Sequence, residues 1–375
     1  MTIELEDVVA SHGPDDPVRF IAIADHFLTR EDLPAAAAAL DRAYGLRPGD
    51  EDLARQRAAI LDQLAVREHG LIWRYVPAGT FLMGSEHGDP DERPVHPRRL
   101  DAFWITDTPI TWSACCALLG WNAPPDGMPP EDGAPEGEED DDEARDEARD
   151  DARRELFALA QRRKIRLQYC ETETLRATSW HAHEEPGEDV QRRDPGAPCS
   201  YDRKPMVAAT LEEARQLAAR LTTAELRVAL PSEAQWEKAA RGGLVGRRYA
   251  WGDEPPTPAR CNFDRMDDLR LIDPRALPPN GYGLYGMCGG VWEWTADRYD
   301  ALAHRVRVGG LVGPLAADAP TEDEAELVLR GGSWADCAAA VTVSFRASRL
   351  PARAESPMIG FRLVRGGIGA PGAGL

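Results

Sequence analysis

The chain has 375 residues, with 44 Lys and Arg against 64 Asp and Glu, and a formal net charge of −20. This charge, with no basic stripe between aromatic residues, predicts that nucleic acid is not a partner. No apolar run has the length of a membrane span, so no membrane partner is expected either. An acidic N-terminus without a signal pattern, and seven irregularly spaced cysteines, predict a cytoplasmic protein with reduced thiols.

Residues 17–67 have a helical pattern that follows a short arm at 1–16. Apolar residues recur at helical spacing from Phe20 to Phe27, Pro34 opens a second helix, and Pro48 and Gly49 precede a third. A helical hairpin plus a capping helix is typical of one tetratricopeptide-like repeat. Because one repeat cannot bury its faces alone, we expect it to dock on the remaining chain or on a partner protein.

Residues 124–203 read as an insert. Its first part is rich in Pro and Gly, and residues 131–155 then carry 14 acidic and 4 basic side chains. This composition predicts partial disorder. The four-residue recurrence of acid, Ala and Arg also allows a solvated helix, or a docking tail for a basic partner. His181 and His183 would share a face on a strand, but no third metal ligand lies nearby in the sequence.

Two helices with clear end signals follow the insert. Thr210 with Glu213 forms a predicted capping box. Ser232 is the predicted N-cap of the second helix, Trp236 faces the core and Gly242 ends it. We interpret these residues as structural.

Residues 278–297 are the most informative stretch: PPNGYGLYGMCGGVWEWTAD. Its glycines indicate tight turns. On an extended segment Trp292 and Trp294 share one face, while Glu293 lies on the other. If Glu293 is buried, its carboxylate needs a cation or hydrogen-bond donors; the alternative is a solvated loop.

This stretch and four further blocks, at 77–85, 91–111, 230–243 and 330–365, resemble the formylglycine-generating enzyme (sulfatase-modifying factor) family. The resemblance implies an α+β fold: a loop-rich, C-type-lectin-like domain over residues 71–367, preceded by the helical segment and followed by a flexible tail at 368–375.

In the catalytic members of that family, two cysteines bind copper(I) after the Gly-Gly-Ser-aromatic turn. The positions that match them hold Asp336 and Val341, and Cys337 is one step late. Since copper(I) prefers two thiolates, we expect copper chemistry to be absent. Iron is also unexpected. Related sulfoxide synthases bind iron through a His triad in a separate helical domain, and the helices here contain His26 alone. Ser333, Asp336 and Cys337 remain weak catalytic candidates.

The resemblance also implies two structural calcium sites. Asn262 and Phe263 would supply one, by side chain and carbonyl. Gly289, Val291 and Glu293 would supply the other, although Gly286 stands where the family has an asparagine ligand. Calcium is therefore a possible cofactor.

Two functions follow as alternatives. The favoured one is a non-catalytic cytosolic recognition module that binds a protein or ligand through residues 17–67, the lectin-like face at 335–358, or both. Its binding face would include Trp334, Asp336, Arg346 and Arg349, although arginines in this region are also expected to pair with buried acids, as is Arg362. The other function is a divergent metal-dependent oxidase, of copper or non-haem iron type, acting on a protein cysteine.

Overall fold

The computed structural model describes residues 13–130, 142–170, 200–267, 269–305, 325–351 and 356–367, and for 142–149 and 200 the backbone only. The acidic stretch 131–141, the pair His181 and His183, and the predicted tail 368–375 lie outside the described residues. Most of the predicted arm at 1–16 lies outside them as well.

The helical segment contains the three predicted helices: α1 (Pro17–Leu28), α2 (Leu33–Leu46) and α3 (Glu51–Gln63). Each begins after an aspartate, at position 16, 32 or 50, whose carboxylate accepts a backbone N–H of the first turn. Such caps satisfy donors that the helix itself leaves open.

The larger sheet has five antiparallel strands. In chain order they are β1 (Val66–Glu68), β2 (Leu71–Val76), β5 (Phe103–Thr106), β6 (Leu226–Ala229) and β11 (Val364–Gly367). Their spatial order is β1-β2-β5-β11-β6. The last strand of the domain thus lies between β5 and β6, and the sheet joins the two ends of the domain.

The smaller sheets complete the strand structure. Strands β7 (Trp292–Arg298), β8 (Leu327–Arg330), β9 (Arg346–Arg349) and β10 (Ile359–Gly360) form a four-stranded sheet in the order β10-β7-β8-β9. Strands β3 (Gly79–Met83) and β4 (His96–Leu100) pair as a hairpin. The predicted α+β class is confirmed.

Four more helices surround the sheets: α4 (Trp112–Leu119), α5 (Asp142–Cys170), α6 (Leu211–Leu221) and α7 (Glu233–Arg241). The capping box predicted at Thr210 is present, and Ser232 is the N-cap as predicted and forms a capping box as well. Gly242 ends α7 in a left-handed conformation. No helix within the described ranges has the length and hydropathy that crossing a bilayer requires.

Helix α5 shows that the C-terminal half of this helix, within the insert, belongs to the core. Its N-terminal half is exposed from 150 to 156, as a solvated helix predicts. The C-terminal half instead buries Leu167 and Cys170 in the main hydrophobic cluster. Arg166 is fully buried there and contacts both carboxylate oxygens of Glu213 at 2.7 and 2.8 Å.

The helical segment docks on the domain. Leu40 and Ile60 belong to one hydrophobic cluster with Phe103 and Trp236. At its edge the guanidinium of Arg57 donates to Asp41 at 2.8 Å and to the carbonyls of residues 242 and 281 at 2.9 and 2.7 Å. The apolar faces that one repeat cannot bury alone are therefore covered by the chain itself.

Candidate functional site

The segment from Ser333 to Val341 follows β8, where the family resemblance places the copper-binding cysteines. The chain turns sharply at Gly331 and Gly332, whose φ angles are 101° and 73°. A Cβ atom on Gly332 would lie 2.7 Å from Cγ1 of Val341. Only glycine allows the turn to pack this closely on the valine.

Ser333 and Asp336 form a local turn. The Ser333 hydroxyl donates to Oδ2 of Asp336 at 2.5 Å, and its backbone N–H donates to the same oxygen at 2.9 Å. The carbonyl of Asp336 in turn accepts the N–H of Asp264 at 2.9 Å. Because Ser333 is fully buried, this arrangement makes Asp336 a turn-capping residue and gives the serine a structural role.

The position that matches the second cysteine is occupied by a hydrocarbon side chain, Val341. Val341 is fully buried in a hydrophobic cluster, whereas the Cys337 thiol is exposed. The other described cysteines, at 115, 116, 170, 261 and 288, are buried free thiols. Burial raises the pKa of Cys288 to about 12, so this thiol stays protonated, whereas a metal ligand must be a thiolate.

Metal ions in proteins are held mainly by acidic, histidine and cysteine side chains. Among the residues that the structure describes, no group of three or more of them is placed to hold a metal ion. Of the side chains at 336 and 337, the carboxylate of Asp336 is already engaged by Ser333 and the thiol of Cys337 is exposed.

Two of the four residues predicted for a binding face are buried. Trp334 is 2% exposed, stacks on Tyr169 at 5.5 Å and donates its indole N–H to the carbonyl of Pro357. Arg346 is also buried. The structure thus corrects the predicted face: Arg349 is exposed on β9 and Asp336 is half-buried, while the other two residues belong to the interior.

Arg346 belongs to a buried charge network formed by α7 and the four-stranded sheet. Its Nε donates to Glu233 at 2.6 Å, Arg330 pairs with Glu237, and Arg241 also donates to Glu237, at 2.7 Å. Burial alone would raise the pKa of both glutamates, but the arginines outweigh burial and hold each pKa below its usual value. The predicted pairing of Arg346 with a buried acid is confirmed.

Glu293 is completely buried and has an arginine as its counter-ion. Arg362 donates from Nε to Oε2 at 2.6 Å and from Nη2 to Oε1 at 2.9 Å, and the Trp236 indole donates to Oε2 at 2.7 Å. The sequence predicted that a buried Glu293 needs a cation or donors, and both are present. Because these donors engage both oxygens, the carboxylate does not fit the predicted role of a calcium ligand.

Three of the remaining calcium candidates, Asn262, Gly289 and Val291, line one small cavity of about 10 Å³, together with Gly286 and others. This is room for one water-sized species. Oδ1 of Asn262 is buried without a hydrogen-bond partner within the described parts of the chain. An orphaned oxygen fits a small cation there, although the available oxygens are neutral. Phe263 packs against a hydrophobic cluster.

His304 was not singled out from the sequence. It is fully buried and lies edge-to-face against His96, with ring centroids 4.7 Å apart. Burial lowers its pKa to about 4, although Glu237 and Glu233 oppose this shift. No spacing or motif pointed to this residue, because its neighbours come from β4 and α7, far away in sequence.

The fold and this site together define an α+β domain of the formylglycine-generating type with an altered cysteine segment. The family model described as the sulfatase-modifying factor enzyme 1-like domain matches residues 65–366, and the chain belongs to this family. The resemblance stated from the sequence is thereby confirmed.

Several curated proteins are similar over part of their length. A formylglycine-generating enzyme of Streptomyces coelicolor is 40% identical over 28% of this chain and 35% of its own. An inactive C-alpha-formylglycine-generating enzyme 2 of Bos taurus is 36% identical over 38% of this chain and 46% of its own. The chain thus spans between about a third and a half of the length of these relatives.

Among solved structures, PvdO from Pseudomonas aeruginosa is similar with a TM-score of 0.50 and 21% identity. The match covers 80% of this chain and 97% of that one. At this identity the likeness concerns the fold alone.

Proposed function

We propose that this chain is a non-catalytic family member that recognises a protein ligand in the cytoplasm. The observation that carries the proposal is the pair of residues at the two cysteine positions. One is Asp336, whose carboxylate caps the turn at Ser333, and the other is Val341, which is buried in the core.

A copper(I) site of the kind found in the catalytic members needs a second sulfur. Copper(I) is a soft ion that prefers thiolate ligands, and a carboxylate is a hard ligand. Val341 has no donor atom, and its side chain is fully buried in the core. Cys337 supplies a single exposed thiol, which is insufficient for the two-thiolate site of the catalytic members.

A relative named as inactive, which is 36% identical over 38% of this chain, supports the same interpretation, because proteins similar to this chain include one so named. For recognition, the exposed Arg349 and the half-buried Asp336 remain on the lectin-like face. The helical segment at residues 17–67 buries its apolar faces internally, so we propose that any partner contacts its outer surface or its junction with the domain.

Calcium is proposed as a structural ion for the cavity at Asn262 alone. There the side-chain amide oxygen and neighbouring backbone carbonyls would hold it, and its role would be to fix the loop before β7.

The test measures copper(I) binding and oxygen consumption together. Wild-type protein is titrated with copper(I) against a chromogenic chelator, then incubated with oxygen and a cysteine-containing peptide. We expect no stoichiometric copper and no oxygen uptake above the peptide blank. The variant D336C/V341C, made with C337A to remove the exposed thiol, is expected to gain copper(I) binding, which would show that the assay detects a thiolate pair.

Stoichiometric copper and peptide-dependent oxygen uptake by the wild-type protein would overturn the proposal in favour of a divergent oxidase. The same result with iron(II) in place of copper(I) would assign a non-haem iron enzyme. If uptake persists in Cys337→Ala, a mechanism through that thiol is excluded as well.

A further inference from the structure

A groove runs along the junction of the helical segment and the domain. Two adjoining cavities of about 340 and 500 Å³ share five lining residues: Ala250, Trp251, Arg260, Pro279 and Asn280. The larger cavity is also lined by Tyr44 and Pro48 of the helical segment. The two cavities share the wall of five residues and together form the groove, and the larger one lies where the helical segment docks on the domain. None of its lining residues belongs to the segment 333–349.

Trp251 is the aromatic surface of this groove. Its ring stacks on Tyr249 with centroids 5.0 Å apart and an interplanar angle of 3°. Its indole N–H donates to the carbonyl of Glu254 at 2.9 Å, which fixes the ring. Since Tyr249 is buried and covers one face, the other face of Trp251 is the one offered to the groove. A ring held in this way loses little conformational entropy on binding.

The charges of the groove are compensated internally. Arg247 pairs with Asp253 at 2.5 Å, and Arg260 pairs with Glu254. The second oxygen of Asp253 accepts the N–H of Arg248 at 3.0 Å. Both oxygens of Asp253 and one oxygen of Glu254 are thus engaged, whereas each guanidinium has five N–H donors and uses only part of them on its acid. A complementary ligand is uncharged, has ring faces for Trp251, and presents hydrogen-bond acceptors.

We propose that this groove binds a proline-rich segment of a partner protein in the polyproline II conformation. Proline rings supply flat apolar faces for Trp251, and proline offers no backbone N–H that would need the engaged carboxylates. The carbonyls of a polyproline II helix have no internal hydrogen bonds, so they can accept from Arg247 and Arg260. The proposal rests on the recognition function proposed above and adds to it a site and a ligand class.

The test is fluorescence anisotropy of the full chain with fluorescein-labelled decaproline. A labelled Gly-Ser peptide of equal length and a labelled maltohexaose are the comparison ligands. We expect binding of decaproline only. Trp251→Ala should weaken it by about tenfold or more, and Trp251→Phe, which keeps a ring, by less than about threefold. Arg260→Gln should also weaken it, through the lost donors.

Phe157→Ala is the matched control, because Phe157 is an aromatic residue on α5 that is 67% exposed and lies outside the groove. It should bind like the wild type, and circular dichroism checks that each variant is folded. No decaproline binding, equal binding of the Gly-Ser peptide, a preference for maltohexaose, or unchanged affinity in both Trp251→Ala and Arg260→Gln overturns this proposal. Any of these outcomes leaves the copper and oxygen test untouched, so failure of the groove and failure of the non-catalytic assignment are distinguishable.

Discussion

Arg362 and Glu293 form a fully buried, two-pronged ion pair between the loop that leads into β11 and the start of β7, with N–O distances of 2.6 and 2.9 Å. Removing one charge of such a pair leaves the other buried without a partner. We therefore expect Glu293→Gln to lower the free energy of unfolding by about 3 to 5 kcal/mol. Urea denaturation followed by circular dichroism measures this change.

The matched control for this substitution is Asp151→Asn, because Asp151 pairs with Arg154 at 2.8 Å while both side chains are at least 70% exposed. It should change the stability by no more than about 1 kcal/mol. If Glu293→Gln is as mild as the control, the buried pair does not carry the stability that its geometry indicates.

The position of Glu293 shows how far sequence reasoning reaches in this chain. The sequence indicated that a buried Glu293 needs a cation or donors. The cation that pairs with it, Arg362, is 69 residues away, and the order of the strands brings the two together. The caps at Thr210 and Ser232 were predictable because donor and acceptor lie three residues apart. The burial of His304 and of Trp334 depends on long-range packing, which no local pattern encodes.

The cavity at Asn262 leads to a prediction about calcium. A ligand that binds only the folded state raises the melting temperature as its concentration exceeds its dissociation constant. We expect millimolar calcium to stabilise the wild type and Glu293→Gln by equal amounts in differential scanning fluorimetry, and to leave Asn262→Ala unaffected. Magnesium is the control, since it fits an irregular site of neutral oxygens poorly.

Two results would contradict this assignment. If calcium does not shift the wild type, the proposed ion is absent. If Glu293→Gln loses the shift while Asn262→Ala keeps it, the carboxylate is a ligand after all and its pairing with Arg362 is replaced in the bound state.

The contacts of Arg57 with both parts of the chain predict that the helical segment and the domain unfold together. The side chain is 2% exposed and joins Asp41 of α2 to carbonyls of the domain, while it also lies over the ring of Tyr44 at 4.0 Å. Arg57→Ala should destabilise the protein by about 3 to 5 kcal/mol, because Asp41 is left without its cation. Thermal unfolding of the wild type should show one transition.

Arg55→Ala is the control on the same helix, because Arg55 is 75% exposed and pairs only with the exposed Asp52. Its effect should stay within about 0.5 kcal/mol. A wild type that unfolds in two separate transitions, with Arg57→Ala changing only the first, would show instead that the segment is an independent unit.

The lowered pKa of His304 predicts that the protein loses stability in mild acid. Its folded-state pKa is about 4, below the usual 6.5, so between these values the unfolded chain binds a proton that the folded protein excludes. Stability from this group is complete above pH 6.5 and is lost as the pH falls toward 4. Glu233 and Glu237 act at lower pH, because their pKa values are depressed below 4.5 and their contribution is lost only as the pH falls through those values.

The pH range in which His304 acts can be separated by experiment from the lower range of the two glutamates. Urea midpoints measured from pH 7 to pH 4.5 should fall in the wild type, and His304→Phe, which keeps a ring of similar size but cannot be protonated, should flatten this part of the curve. His69→Phe, at a residue on the exposed turn before β2, should keep the wild-type slope. If His304→Phe and the wild type lose stability in parallel, acid sensitivity in this range comes from another group, and the buried imidazole is protonated without cost to the fold.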